Sequence, residues 1–196
     1  MKKIILTLAA VLIMSTPGMA GAGPLRPDPI ELNIKNIEQE TNYWCWASLI
    51  QQLVVYHSVG RPPAQCDMVS LATGNNLGRV VDCCQNRDAE ECHRTGNLVE
   101  VMELVTRYGG RASVIPIPNE PEEIYNLLAS GQALIVGFQM TPELNHAYLI
   151  KGISWVPTDD GNDQAILLIN DPAYPGSQSI PFDKAQPTWI TAIAAD

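Results

Sequence analysis

The chain has 196 residues, 46% of them hydrophobic, and a formal net charge of −9 from 21 acidic against 12 basic side chains. An acidic surface without clustered Lys and Arg excludes phosphate-driven binding of nucleic acid and disfavours anionic membranes. No later stretch approaches the roughly 20 apolar residues of a spanning helix, so no stable membrane insertion is expected.

Residues 1–22 have the layout of a secretory signal: Lys2 and Lys3, an apolar run from Ile4 to Met14, then small residues ending in Ala20, Gly21 and Ala22. Cleavage after Ala20 or after Ala22 satisfies the small-residue rule. Residues 23–196 are then expected to form one exported domain, periplasmic or secreted, large enough to bury a core.

From Gly23 to Glu38 the chain is Pro-rich and reads as an extended lead-in, too short for an inhibitory prosegment. Cys45, Leu49, Leu53 and Tyr56 repeat at helical spacing, and Gly60-Arg61-Pro62-Pro63 ends the run. A helix therefore starts at Cys45. A second is expected over Ala64 to Ala72, and a third after Asn97, which can cap it, with Leu98, Val101, Leu104 and Val105 inward. A β-rich run from Ser113 to Ile117 precedes a helix that opens at Asn119-Glu-Pro-Glu-Glu and ends at Gly131. Strands are expected over Ala133 to Met140, His146 to Trp155, Gln164 to Asn170, Ser179 to Phe182 and Thr188 to Ala194. The class is α+β: a helical N-terminal half, an antiparallel-sheet C-terminal half, and a cleft between them for a site.

Five cysteines divide into Cys45, alone, and the cluster Cys66, Cys83, Cys84 and Cys92. In an exported chain this predicts two disulfides and one free thiol. Bridging the adjacent Cys83 and Cys84 to each other is unfavourable, so Cys66 should join one of them and Cys92 the other, in an order the sequence leaves open. A zinc site from Cys83, Cys84, Cys92 and His93 is the competing reading, but paired C-x-x-C arms are missing. No metal or other cofactor is called for.

A thiol at a helix start meets unpaired N–H groups and the positive end of the dipole, which favour the thiolate. Three histidines are available as a base. His57 lies at the far end of the same helix and His93 among the clustered cysteines, which leaves His146 at the start of a strand. A hairpin turning between Val156 and Asp163 would return the end of the next strand beside His146. Asp171 would then orient the imidazole, with Asn170 as the alternative because adjacent strand residues face opposite sides. Gln39, six residues before Cys45, can supply a side-chain amide to an oxyanion. Trp46 reads as packing around the helix and Trp44 as a candidate wall of the substrate cleft.

Gln39-x5-Cys45-Trp46-Ala47 resembles the papain-like cysteine peptidases. Tyr43-Trp44-Cys45-Trp46-Ala47-Ser48, Asn145-His146-Ala147-Tyr148 through Ile153, and Ile169-Asn170-Asp171-Pro172 are similar to its small bacterial branches. Those branches are the avirulence-type effector peptidases and the double-glycine leader peptidases. The resemblance implies a two-lobed fold with the nucleophile opening the central helix. It also implies that Cys45 attacks a carbonyl, Gln39 and the Cys45 N–H hold the oxyanion, His146 transfers the proton and Asp171 orients it. The substrate is then a protein or peptide, and any inhibitor or partner protein is unknown. Two departures stand out: C-G-[SA]-C-[WY] is absent, and His146 follows Cys45 by 101 residues rather than the roughly 130–150 of plant and lysosomal enzymes. The same triad also serves deamidases, acyl transferases and cell-wall amidases, and the shell can persist as a non-catalytic binding protein.

Overall fold

The computed structural model describes residues 26–57, 61–141 and 144–196; the expected signal segment, residues 1–22, lies outside them. Helices α1 (Cys45–Tyr56), α2 (Gln65–Leu77) and α3 (Leu98–Arg107) come first, after a two-residue strand β1 (Ile30–Glu31). Strand β2 (Ala112–Val114) and helix α4 (Pro121–Ala129) lead to β3 (Ala133–Thr141), β4 (Leu144–Pro157), β5 (Asp163–Asn170) and β6 (Gln178–Pro181). A short helix α5 (Phe182–Ala185) precedes β7 (Trp189–Ala195). The expected α+β division holds, with one antiparallel sheet ordered β2-β7-β3-β4-β5-β6 and β1 added along β4. Among the described residues no helix is long and apolar enough to cross a membrane.

Cys45, Leu49, Leu53 and Tyr56 recur at helical spacing in α1, yet burial is not confined to them: nine of its twelve residues are buried. Such all-round burial belongs to a helix enclosed by other elements, here α2, α3 and the sheet. Helix α2 runs five residues past the expected Ala72. Gly74, Asn75 and Asn76 read as a break, but the chain continues to Gly78, whose φ of 63° places it in the left-handed region where glycine ends helices. Asn97 caps α3 as expected and forms a capping box with Glu100. The expected strand from Ser113 is only three residues long and pairs with β7, while Phe182 leaves the sheet to start α5.

The hairpin of β4 and β5 closes from Pro157↔Asp163 and runs back to Leu149↔Asn170. Lys151 is an extra residue at a bulge between Ile150 and Gly152. In this register Asn170 ends the strand opposite Leu149, so Asp171 comes level with Tyr148 on the side that His146 shares. Strand β3 pairs along the other edge with Phe138 opposite His146.

Candidate active site

Cys45 is the first residue of α1, follows Trp44 at the N-cap, and is the one free cysteine among the described residues. At this position its N–H is among the first-turn donors without an intrahelical acceptor. His146 projects from β4, buried like Cys45, with its ring edge-on to Phe138 at a centroid distance of 5.5 Å. Its Nε2 lies 2.7 Å from Oδ1 of Asp171. The same carboxylate oxygen accepts the N–H of Ala173 at 2.9 Å, which fixes the carboxylate as the chain leaves β5.

Burial alone lowers the pKa of the imidazole. Hydrogen bonds to Asp171 and to Cys45, and the charges of both partners, outweigh it and hold His146 at about 9. Asp171 occupies Nε2, which leaves Nδ1 as the ring nitrogen without that partner, and His146 and Cys45 line the same cleft. Tyr148, two residues along β4, accepts from Trp189 Nε1 at 2.6 Å, and burial pushes its phenol up to about 12, so it stays neutral beside the pair.

The alternative for Asp171 has another occupation. Asn170 is fully buried; its Nδ2 donates to Ile34 O at 3.1 Å and Gln52 Oε1 at 3.0 Å, and its Oδ1 accepts from Ser177 at 2.7 Å. Gln52 in turn donates to Asn36 Oδ1 and Ile37 O, both at 3.1 Å. Asn36 donates to the carbonyls of Asp171, Tyr174 and Gly176. This polar network pins α1, the segment before it, and the chain around Asp171 to one another. It escaped the sequence reading, because buried amides carry no periodic signal.

Gln39 belongs to that pinned segment. Its backbone N–H donates to Pro172 O at 2.9 Å, directly after Asp171, and one hydrogen of its side-chain amide goes to Thr41 O at 2.9 Å. Gln39 is not among the residues lining the pocket that holds Cys45 and His146, and its Oε1 is buried without a hydrogen-bond partner.

Cys45 and His146 lie at one wall of a cleft of about 390 Å³ between the helices and the sheet, lined largely by Trp46, Leu98, Val101, Ile135 and Ile190. Trp46, read as plain packing, forms part of this wall. Trp44 does not line the cleft: it is fully buried, with Nε1 donating to Cys92 O at 2.8 Å. The indole N–H needs an acceptor when buried, and the cysteine-rich segment supplies it. That segment is closed by two disulfides, Cys66–Cys84 and Cys83–Cys92, in the arrangement expected of the adjacent cysteines and with their order now defined. All four thiols are consumed, which removes the zinc reading.

No protein-family model matches the sequence, and no curated protein matches it as a relative. Solved structures do match. A protein of Bacillus anthracis assigned as a C39-like peptidase superposes with a TM-score of 0.57 at 14% identity, over 87% of this chain and 98% of that one. The fold is that of the C39-like peptidases. A double-glycine motif protease of an AMS/PCAT transporter, solved with its leader peptide, gives 0.53 at 19% identity over 87% and 96%. The peptidase domain of Streptococcus ComA, a bifunctional ABC transporter of a quorum-sensing pathway, gives 0.51 at 15% identity over 83% and 96%. This chain therefore spans nearly the whole of each C39-like domain, and the expected kinship with the small bacterial papain-like branches holds at the level of fold.

Proposed function

We propose that this chain is a cysteine peptidase that acts outside the cytoplasm on a protein or peptide substrate. The observation that carries the reading is His146, held at 2.7 Å by Asp171 through Nε2 and sharing the lining of one apolar cleft with Cys45. With its pKa raised to about 9, the imidazole is protonated at neutral pH and can pair with a thiolate.

In the proposed reaction the Cys45 thiolate attacks the peptide carbonyl carbon. The resulting oxyanion takes hydrogen bonds from the Cys45 N–H and the side-chain amide of Gln39. His146 then gives its proton to the leaving amine as the C–N bond breaks, which leaves a thioester on Cys45. Water follows: His146 takes its proton, the hydroxide oxygen bonds to the acyl carbon, and the thiolate departs. Asp171 stabilises the imidazolium before acylation and again when water is deprotonated, and keeps the ring in one orientation. Export is supported by the signal-like segment 1–22 and by two disulfides, which persist in oxidising compartments.

Replacing Cys45 by Ala should abolish both peptide hydrolysis and labelling by a thiol-directed epoxide. Peptidase activity retained in that variant would overturn the proposal. Casein, peptidoglycan, and glutamine-containing protein with an amine acceptor, tested side by side on the wild type, separate peptidase from amidase and acyl-transfer chemistry.

A further inference from the structure

The cysteine-rich segment before α3 has no part in the chemistry just described, yet it meets the residues around Cys45 one after another. The Tyr43 ring stacks on the His93 ring at 5.2 Å with 21° between planes. Trp44 Nε1 donates to Cys92 O at 2.8 Å, and Trp46 Nε1 to Arg94 O at 3.4 Å. The Arg94 guanidinium lies 5.8 Å from the Trp46 ring centroid and is anchored by the buried Glu100 at 2.5 Å. Gly96 passes so close that a Cβ there would fall 2.3 Å from Trp46 Cδ2. Residues 43, 44 and 46 are thus docked on residues 93, 92 and 94, and Cys45 is the residue between the docked indoles.

A loop carbonyl can fix an indole only if the loop is itself fixed. Residues 80–97 hold one three-residue turn of 3₁₀ helix and no strand; their backbone bonds are local turns such as Cys92 and His93 to Ala89, with Thr73 of α2 reaching Glu91 O at 3.4 Å. Cys92 is joined to Cys83, and both are fully buried. Cys83 is tied to α2 through its N–H to Ser70 Oγ at 2.8 Å, and its neighbour Cys84 through the disulfide to Cys66. Cys83–Cys92 therefore ties the acceptors of Trp44 and Trp46 to residue 83, which the Ser70 hydroxyl holds against α2 independently of the Cys66–Cys84 bond.

We propose that the Cys83–Cys92 disulfide is a positioning element for Cys45: by fixing residues 92–94 it fixes the indoles on either side of the thiol, and the site is competent only while this disulfide is closed. The inference rests on the reading of Cys45 as nucleophile. Opening the bond takes two electrons: a dithiol reductant becomes a disulfide, and Cys83 and Cys92 become thiols. The chain then combines a thiol that must stay reduced with a disulfide that must stay oxidised, which confines full activity to an oxidising compartment.

The test compares wild type with Cys83→Ser/Cys92→Ser and Cys66→Ser/Cys84→Ser, neither of which adds a free thiol. Two readouts do not require peptidase activity: the rate of Cys45 alkylation by iodoacetamide, and titration of the His146 ring by NMR. In Cys83→Ser/Cys92→Ser alkylation should slow about tenfold or more, and the His146 titration should move down as the Cys45 side chain moves away. Cys66→Ser/Cys84→Ser should change the alkylation rate by less than about twofold if it acts through stability alone. An alkylation rate equal to wild type in Cys83→Ser/Cys92→Ser overturns the proposal. Where that pair loses its far-UV circular dichroism, Trp44→Phe, which deletes the donor to Cys92 together with part of the buried ring, decides: alkylation slowed about threefold or more with circular dichroism retained supports positioning, and an unchanged rate overturns it. Wild-type protein that alkylates rapidly but hydrolyses no peptide removes the peptidase reading and leaves the positioning claim standing.

Discussion

Asp171 and His146 set the pH behaviour. The ring titrates near 9 in the folded protein against about 6.5 for an unperturbed histidine, so the folded state binds the proton more tightly. The stabilisation this brings is fully present below about pH 6.5 and is lost as pH rises through 9. The alkaline limb of kcat/KM should therefore lie near pH 9. Asp171→Asn keeps an acceptor for the ring nitrogen but removes a charge that raises its pKa, so that limb should shift toward neutral pH. kcat/KM at neutral pH should fall by up to about 100-fold, within the range general acid–base groups contribute. A pH–rate profile unchanged from wild type would show that Asp171 does not act on His146. The choice between Asn170 and Asp171 was open in the sequence because a strand's phase can be counted only from a known register. The bulge at Lys151 shifts that phase by one residue, and nothing local in the sequence announces it.

At the scale of elements, α1 owes its setting to buried amides as much as to apolar contacts. Gln52 lies two turns after Cys45, is 1% exposed, and bridges Asn36, Ile37 and Asn170. Gln52→Leu keeps much of the volume but leaves the Asn170 Nδ2, Asn36 Oδ1 and Ile37 O groups short of a partner. Each buried polar group left unmet costs about 1–3 kcal/mol, so the unfolding free energy should fall by at least that amount, read as a lower urea midpoint at unchanged m. An unaltered midpoint would mean that water replaces the amide. The apolar spacing of Cys45, Leu49 and Leu53 made α1 legible, and Asn97 as a cap made the start of α3 legible. Strand β1, two residues long, and α5, four residues long, are too short to show a period at all. Trp44 and Trp46 exchanged their expected roles for a related reason: helical spacing gives a direction around α1 but not what the cysteine-rich segment lays against it.

Across the whole molecule the two disulfides should separate into two functions. Cys66–Cys84 closes a loop of sequence separation 18 and joins α2 to residue 84, whereas the contacts with the Cys45 region are made by residues 92, 93, 94 and 96. Constraining an unfolded chain over such a loop contributes about 3 kcal/mol. Cys66→Ser/Cys84→Ser should therefore lower unfolding stability by about that amount while activity per folded molecule stays near wild type. Cys83–Cys92 closes a shorter separation of 9, and the chain-entropy argument assigns it slightly less, about 2.6 kcal/mol. If the bonds acted on stability alone, the Cys66–Cys84 pair would be the more sensitive one to remove. The opposite ranking in specific activity, measured well below the unfolding midpoint of each variant, is expected because Cys92 carries the acceptor of Trp44. Equal specific activity for both pairs would reduce the cysteine-rich segment to a brace for α2. A selective loss with Cys83→Ser/Cys92→Ser would make it part of the apparatus that presents Cys45 to the cleft.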